Sequence, residues 1–138
     1  MPILNVKVAA TRSAQLSRTI AEGLVDLTAR VLRKNPTITA VAIDYVSPED
    51  WIVGGRTLAE QHKASFWLDI KVVDGTNTKD EKAAYLAEVF GFMRRVLGDL
   101  HEESYVLVHE VSADAYGYGG TTQEYRYVAG KLPAQRAA

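Results

Sequence analysis

The strongest constraint on this chain is that one pattern occurs in it twice. Asn5-Val6-Lys7-Val8 is matched by Asp69-Ile70-Lys71-Val72, and Gly54-Gly55 by Gly119-Gly120, at nearly the same offset. Each copy reads as strand, helix, strand and glycine-rich loop. Any two strand–helix–strand units share a period; the glycine pairs at matching positions make this a duplication. Each βαβ crossover is expected to be right-handed.

The local signals follow the repeat. Residues 3–8 alternate with β-branched residues, which predicts a strand. Ser13 stands as an N-cap before Leu16, Ile20, Leu24, Leu27 and Val31, an apolar stripe at helical spacing. Pro36 disfavours helical geometry in the residue before it, so the helix is expected to end near Lys34-Asn35. Residues 37–46 predict a second strand. A loop carrying Trp51 and Gly54-Gly55 follows, and then the pattern restarts with a strand over 65–73. Thr78-Lys79-Asp80-Glu81 reads as a capping box. It opens a helix whose apolar face is assigned to Leu86, Val89, Phe90, Met93, Val96 and Leu97, with Gly98 at its stop. A fourth strand is expected over 104–111.

These elements predict an α+β, two-layer fold. Two tandem βαβ units, about 1–62 and 63–130, form a four-stranded sheet in one domain spanning 1–138, with both helices on one face. The other sheet face is left uncovered, with apolar residues on it, and association is the simplest remedy. The Gly-Gly loops and the segment 121–130 are expected to form small hairpins that complete a neighbour's sheet edge.

Composition narrows the function. Hydrophobic residues make up 47% and charged residues 24% of the 138 positions, the balance of a folded soluble protein. A net charge of -1 gives no electrostatic case for nucleic acid or an anionic membrane. The chain has no cysteine, which excludes disulfides and thiolate chemistry and fits the cytoplasm. No signal peptide is expected, and no apolar run approaches the ~20 residues that span a bilayer.

Pro2 is the candidate catalytic group. If Met1 is removed, Pro2 becomes a secondary amine fixed at the start of a strand. A free α-amino group titrates near pH ~8, and partial burial or nearby cations lower that value towards working pH. Without such removal Pro2 is an ordinary chain residue.

The Met1-Pro2-Ile3 start, Arg12-Ser13 before the first helix and the Trp51-Ile52-Val53-Gly54-Gly55 loop resemble the tautomerase superfamily, whose smallest members are the 4-oxalocrotonate tautomerases. The length is similar to the fused branch, with two βαβ units in one chain and a fold like macrophage migration inhibitory factor. The segment 112–119 is similar to the corresponding part of malonate semialdehyde decarboxylases. The resemblance implies a cofactor-independent keto-enol tautomerase, assembled as a homotrimer, acting on small enol or α-keto carboxylic acids. It implies Pro2 as general base, Arg12 as the contact to the substrate carboxylate and Trp51 as an apolar wall beside the proline. It also leaves open a dehalogenase, decarboxylase or hydratase of the same superfamily, or a non-catalytic trimeric binding module. Three departures set the chain apart. The second-strand arginine of the small tautomerases is replaced by the Ala40 to Ala42 region, the second repeat starts near Phe66 without a proline, and Thr76 and Asn77 stand where specialised branches carry arginines.

The remaining candidates carry two readings each. Arg56 is either a carboxylate contact reached across a subunit boundary or a solvated loop residue. Tyr116 and Tyr118 either donate hydrogen bonds to a developing enolate oxygen or pack in a hairpin. His109 and Glu110 point to opposite faces of one strand, and a structural role is expected of them. His62, His101 and His109 are scattered without metal-ligand spacing, so neither metal nor cofactor is expected.

Overall fold

The computed structural model describes residues 2–132. Strand β1 (Ile3–Ala9) leads into helix α1 (Ala14–Leu32), where the Ser13 side chain accepts from the Leu16 N–H at 3.0 Å. Arg33 ends that helix in a left-handed conformation, φ 59°. Strand β2 (Ala40–Val46) lies parallel to β1. After it come a two-rung hairpin, β3 (Ile52–Val53) and β4 (Arg56–Thr57), and a short helix, α2 (Leu58–Gln61). The second unit runs β5 (Phe66–Val73), α3 (Lys79–Leu97), β6 (Tyr105–Val111), hairpin β7 (Gly117–Tyr118) and β8 (Thr121–Thr122), and α4 (Gln123–Lys131). From α1 onward each element starts 65 residues before its counterpart: Ala14 and Lys79, Ala40 and Tyr105, Ile52 and Gly117, Arg56 and Thr121, Leu58 and Gln123.

The sheet order is β2-β1-β5-β6. The outer pairs are parallel, and the central β1–β5 pair is antiparallel with Ile3 opposite Lys71 and Val8 opposite Phe66. Leu4, Val6, Val8, Phe66, Leu68, Ile70 and Val72 alternate onto one face and are buried beneath α1 and α3. Burying each such side chain contributes about 1.5–3 kcal/mol. The helices approach closely where α1 carries Gly23: a β-carbon there would lie 2.0 Å from the Phe92 ring. In each hairpin both glycines have positive φ (Gly54 64°, Gly55 83°, Gly119 63°, Gly120 78°), which the tight two-residue turn requires.

Four expectations are corrected. Residues 37–39 are not strand: Pro36–Ile38 form a 3-10 turn capped by Asn35, whose side chain accepts from the Thr37 N–H at 2.9 Å. The inner stripe of α3 runs through Tyr85, Val89 and Met93, spaced by four, while Leu86 lies one step round the helix and is 41% exposed. The segment after Gly120 does not continue as a hairpin tail. Thr122 accepts from the Tyr125 N–H at 3.0 Å and caps α4. The uncovered sheet face is mixed rather than apolar, with Ala40, Ile3, Lys71 and His109 in one row and Asp44, Lys7, Trp67 and Tyr105 in another. Asp69 on that face is only 6% exposed and pairs with Lys71 at 2.6 Å.

Two polar clusters tie the helices. In the core, Thr28 Oγ1 donates to Leu24 O at 2.7 Å, so its one proton is committed and the Tyr85 hydroxyl must donate to it at 2.8 Å. Burial pushes the Tyr85 phenol up to about 12. At the rim, Glu81 accepts from Arg33 Nε (2.8 Å) and Nη2 (3.2 Å), from Asn77 and from the Thr78 N–H, closing the capping box. The Arg33 guanidinium, then these hydrogen bonds, hold its carboxyl down to about 2.

Thr28→Val is expected to cost about 1–3 kcal/mol, because it leaves the buried Tyr85 hydroxyl unpaired, and Tyr85→Phe about 1 kcal/mol, because Thr28 keeps its acceptor. Urea unfolding of both variants checks this order. Glu81's contribution is fully present above the ordinary carboxyl value of 4.5 and is lost as pH falls through about 2. Wild type should therefore lose stability over that window more steeply than Glu81→Gln, measured as melting temperature against pH.

Candidate active site

Because β1 and β5 are antiparallel, the two ends of the sheet are built from different pieces. At one end lie the start of β1 and β2 and the finish of β5 and β6. Pro2 sits there, buried, its carbonyl accepting the Ala40 N–H at 3.2 Å and so extending the β1–β2 ladder by one rung. Ile3 is paired with Ala40 and with Lys71. Ile38 and Val73, two residues farther out on those flanking segments, line a cavity of about 880 Å³. The cavity therefore lies at the end of the sheet where β1 begins, and its size suits a small molecule.

The far wall comes from the second hairpin and α4. Tyr118, Gln123, Glu124 and Arg126 line it, with Thr76 from the β5–α3 turn. Thr76 is gripped by two cations: Lys34 Nζ donates to its Oγ1 at 2.8 Å and Arg33 Nη2 to its carbonyl at 3.4 Å. Burial, then Arg33, pushes the Lys34 amine down. The Arg126 guanidinium lies 3.8 Å from the centre of the Tyr118 ring and donates to the Tyr118 carbonyl at 3.0 Å. Tyr116 is half-buried just before this hairpin, and burial pushes its phenol up, keeping it a neutral donor.

The expected site residues do not all meet within one chain. Pro2 and Tyr118 share an end of the sheet with Tyr116. Arg12 follows β1 and is exposed at the other end, roughly 20 Å away along a seven-residue strand. Trp51 and Arg56 are there too, because β2 runs parallel to β1. Trp51 lines a smaller recess of about 480 Å³ with Asp50, Lys7 and Trp67, where Lys7 Nζ sits 5.6 Å from the Trp67 ring. Arg56 reaches the Glu60 carbonyl at 3.5 Å. His109 lies on the open sheet face opposite Lys71, and Glu110 faces α3, where it accepts from Lys82 at 2.8 Å. Among the described residues, no group of three His, Asp or Glu side chains is placed to hold a metal ion. Removal of Met1 concerns a residue outside the described ones.

Sequence reasoning missed Gln123, Glu124 and Arg126 because it read 121–130 as extended. A signal was present: Thr57-Leu58-Ala59-Glu60 spells a capping box, realised at α2, and Thr122 stands at the same offset in the second repeat.

A family model described as tautomerase enzyme matches residues 2–61. The probable tautomerase K2 of Dickeya dadantii (strain 3937) is 30% identical over 64 residues, covering 46% of this chain and 96% of the relative.

The chain belongs to the tautomerase family.

Solved structures extend the likeness of fold to the second repeat. A wild-type fused 4-OT, described as an asymmetric trimer, superposes with a TM-score of 0.78 at 16% identity over 91% of this chain and 98% of its own. Pt0534 inactivated by 2-oxo-3-pentynoate gives 0.77 at 13% identity over 90% and 98%. No helix among the described residues is long and apolar enough to cross a membrane.

Proposed function

We propose that this chain is a cofactor-independent keto-enol tautomerase of small enol or α-keto carboxylic acids, with Pro2 as general base once Met1 is removed. The observation that carries this reading is a cavity of substrate size at the end of the sheet where β1 begins. An amine at the head of β1 is held at that end by ordered backbone, so little freedom is lost in bringing base and substrate together. Burial of Pro2 disfavours an ammonium form. The neutral nitrogen takes the proton of the enol hydroxyl while the Tyr118 side supplies hydrogen-bond donors, and the proton returns to the substrate carbon. No electrons are exchanged with a cofactor. That Pt0534 is inactivated by a small 2-keto acid supports the substrate class.

Arg12, Trp51 and Arg56 serve this cavity only if a neighbouring copy presents its opposite sheet end. We therefore place them in the site as contributions from an assembled homotrimer, in which Arg12 holds the substrate carboxylate. The open sheet face, together with Ile52 at 61% and Tyr105 at 51% exposure, supplies surface for that assembly, and the trimeric form of the fused 4-OT supports the number.

Glu124 in the cavity favours a second reading, in which a carboxylate activates water for hydration or dehalogenation of an unsaturated acid. Solvent oxygen appearing in the product would select it.

The test follows absorbance of an enol acid during its conversion by processed wild type, by Pro2→Ala and by a form retaining Met1. Pro2→Ala keeps a primary amine and is expected to be slowed. The retained-Met1 form carries an amide and is expected to lose at least about a hundredfold in kcat, the usual worth of a general base. Equal rates for the processed and retained forms would remove Pro2 as the base. Arg12→Ala is expected to raise KM more than it lowers kcat. Light scattering should find trimers, with activity per chain falling on dilution as they dissociate. A fully active monomer would remove the shared site.

A further inference from the structure

Arg126 lies outside the residues that the family model matches, on a helix that sequence alone did not reveal. We propose that Arg126, assisted by the Gln123 amide, shares the substrate carboxylate with the Arg12 that a neighbouring copy presents, holding it from within the same chain as Pro2. This rests on the tautomerase reading above and adds a specificity-determining residue to it.

Three observations converge. First, the guanidinium is pre-placed. Stacking on Tyr118 at 3.8 Å and one hydrogen bond to the Tyr118 carbonyl at 3.0 Å fix its plane. Stacking of this kind is a property of arginine that lysine does not reproduce. Second, it is charged and unneutralised: among the described residues no carboxylate lies within ion-pair distance of it, although Glu124 shares the cavity. A guanidinium has five N–H donors, and the carbonyl takes one, so a planar fork is left for a carboxylate. Third, Gln123 lines the same cavity, and its Nε2 is buried with no hydrogen-bond partner. A buried donor left unpaired is costly, and a small turn of this side chain towards a bound carboxylate would satisfy it. A cationic fork with a neutral donor next to it in the chain suits a carboxylate better than a hydroxyl or a cation. Glu124 sets the selectivity: its charge repels a second carboxylate from that side, so a monocarboxylate is the better fit.

Position adds to this. Thr76, Tyr118 and Arg126 line the same cavity as Ile38, which lies two residues before the Ala40 paired with Ile3 at the start of β1.

The test compares an enol monocarboxylic acid with its neutral methyl ester on processed wild type, Arg126→Gln, Arg126→Lys and Gln123→Leu, each checked for unchanged melting temperature and light-scattering mass. Arg126→Gln is expected to raise KM for the acid about tenfold to a hundredfold, with kcat changed by less than about threefold and KM for the ester unmoved. Arg126→Lys should recover only part of the loss. Calorimetric titration with pyruvate, a small monocarboxylate already in its stable keto form so that no net conversion accompanies binding, should show the same order of affinities. If wild type converts the acid while Arg126→Gln keeps its KM, its preference over the ester and its pyruvate affinity, the proposal is overturned and the tautomerase reading stands. If wild type converts no enol but binds pyruvate in an Arg126-dependent manner, the tautomerase reading fails and the carboxylate site survives. Should Arg126→Gln disturb the assembly, pyruvate binding to Gln123→Leu decides: unchanged affinity overturns the proposal.

Discussion

The antiparallel seam between β1 and β5 is the constraint on which the rest of this molecule depends. Each βαβ unit alone would be a parallel pair with one helix. Joining them through Ile3 opposite Lys71 and Val8 opposite Phe66 makes one sheet with a continuous buried face. The same seam turns one repeat end-for-end against the other. Pro2 therefore shares its end of the sheet with the second hairpin and α4, while the first hairpin, with Trp51 and Arg56, is carried to the far end.

That reversal explains how a duplicated chain comes to hold two different ends. Equivalent backbone is present at both, down to paired glycines with positive φ in each turn. Chemistry separates them. One end has Pro2 at the head of a strand and a cavity walled by Tyr118 and Arg126; the other has Trp67, Trp51 and Lys7 in a smaller recess.

The helices secure the active end indirectly. Thr28 and Tyr85 lock α1 to α3 inside the core, and Gly23 lets the Phe92 ring fill the space between them. At the rim, Arg33, Lys34, Glu81 and Asn77 fasten the end of α1 to the turn bearing Thr76.

Sequence by itself determined the repeat, the four main strands and the two long helices with their caps. These are local properties: alternation, helical spacing, a Ser13 or Thr78 oxygen beside a free N–H, and glycine pairs where φ must be positive. It did not separate Tyr85 from Leu86, because a hydroxyl is tolerated in a core only when a partner such as Thr28 waits for it, and that partner lies 57 positions away in the chain. Nor did it find α4, whose Thr122 cap is a weak signal beside the glycine-rich, tyrosine-rich run before it. Tertiary structure alone decided which candidates stand together. Arg12 and Pro2 are ten positions apart in sequence yet are held at opposite ends of a strand, whereas Arg126 and Ile38, far apart in sequence, line one cavity. The reason is physical: a strand is rigid and extended, so nearness along it means distance in space, and only the pairing of distant strands brings a cation to the proline's end of the sheet.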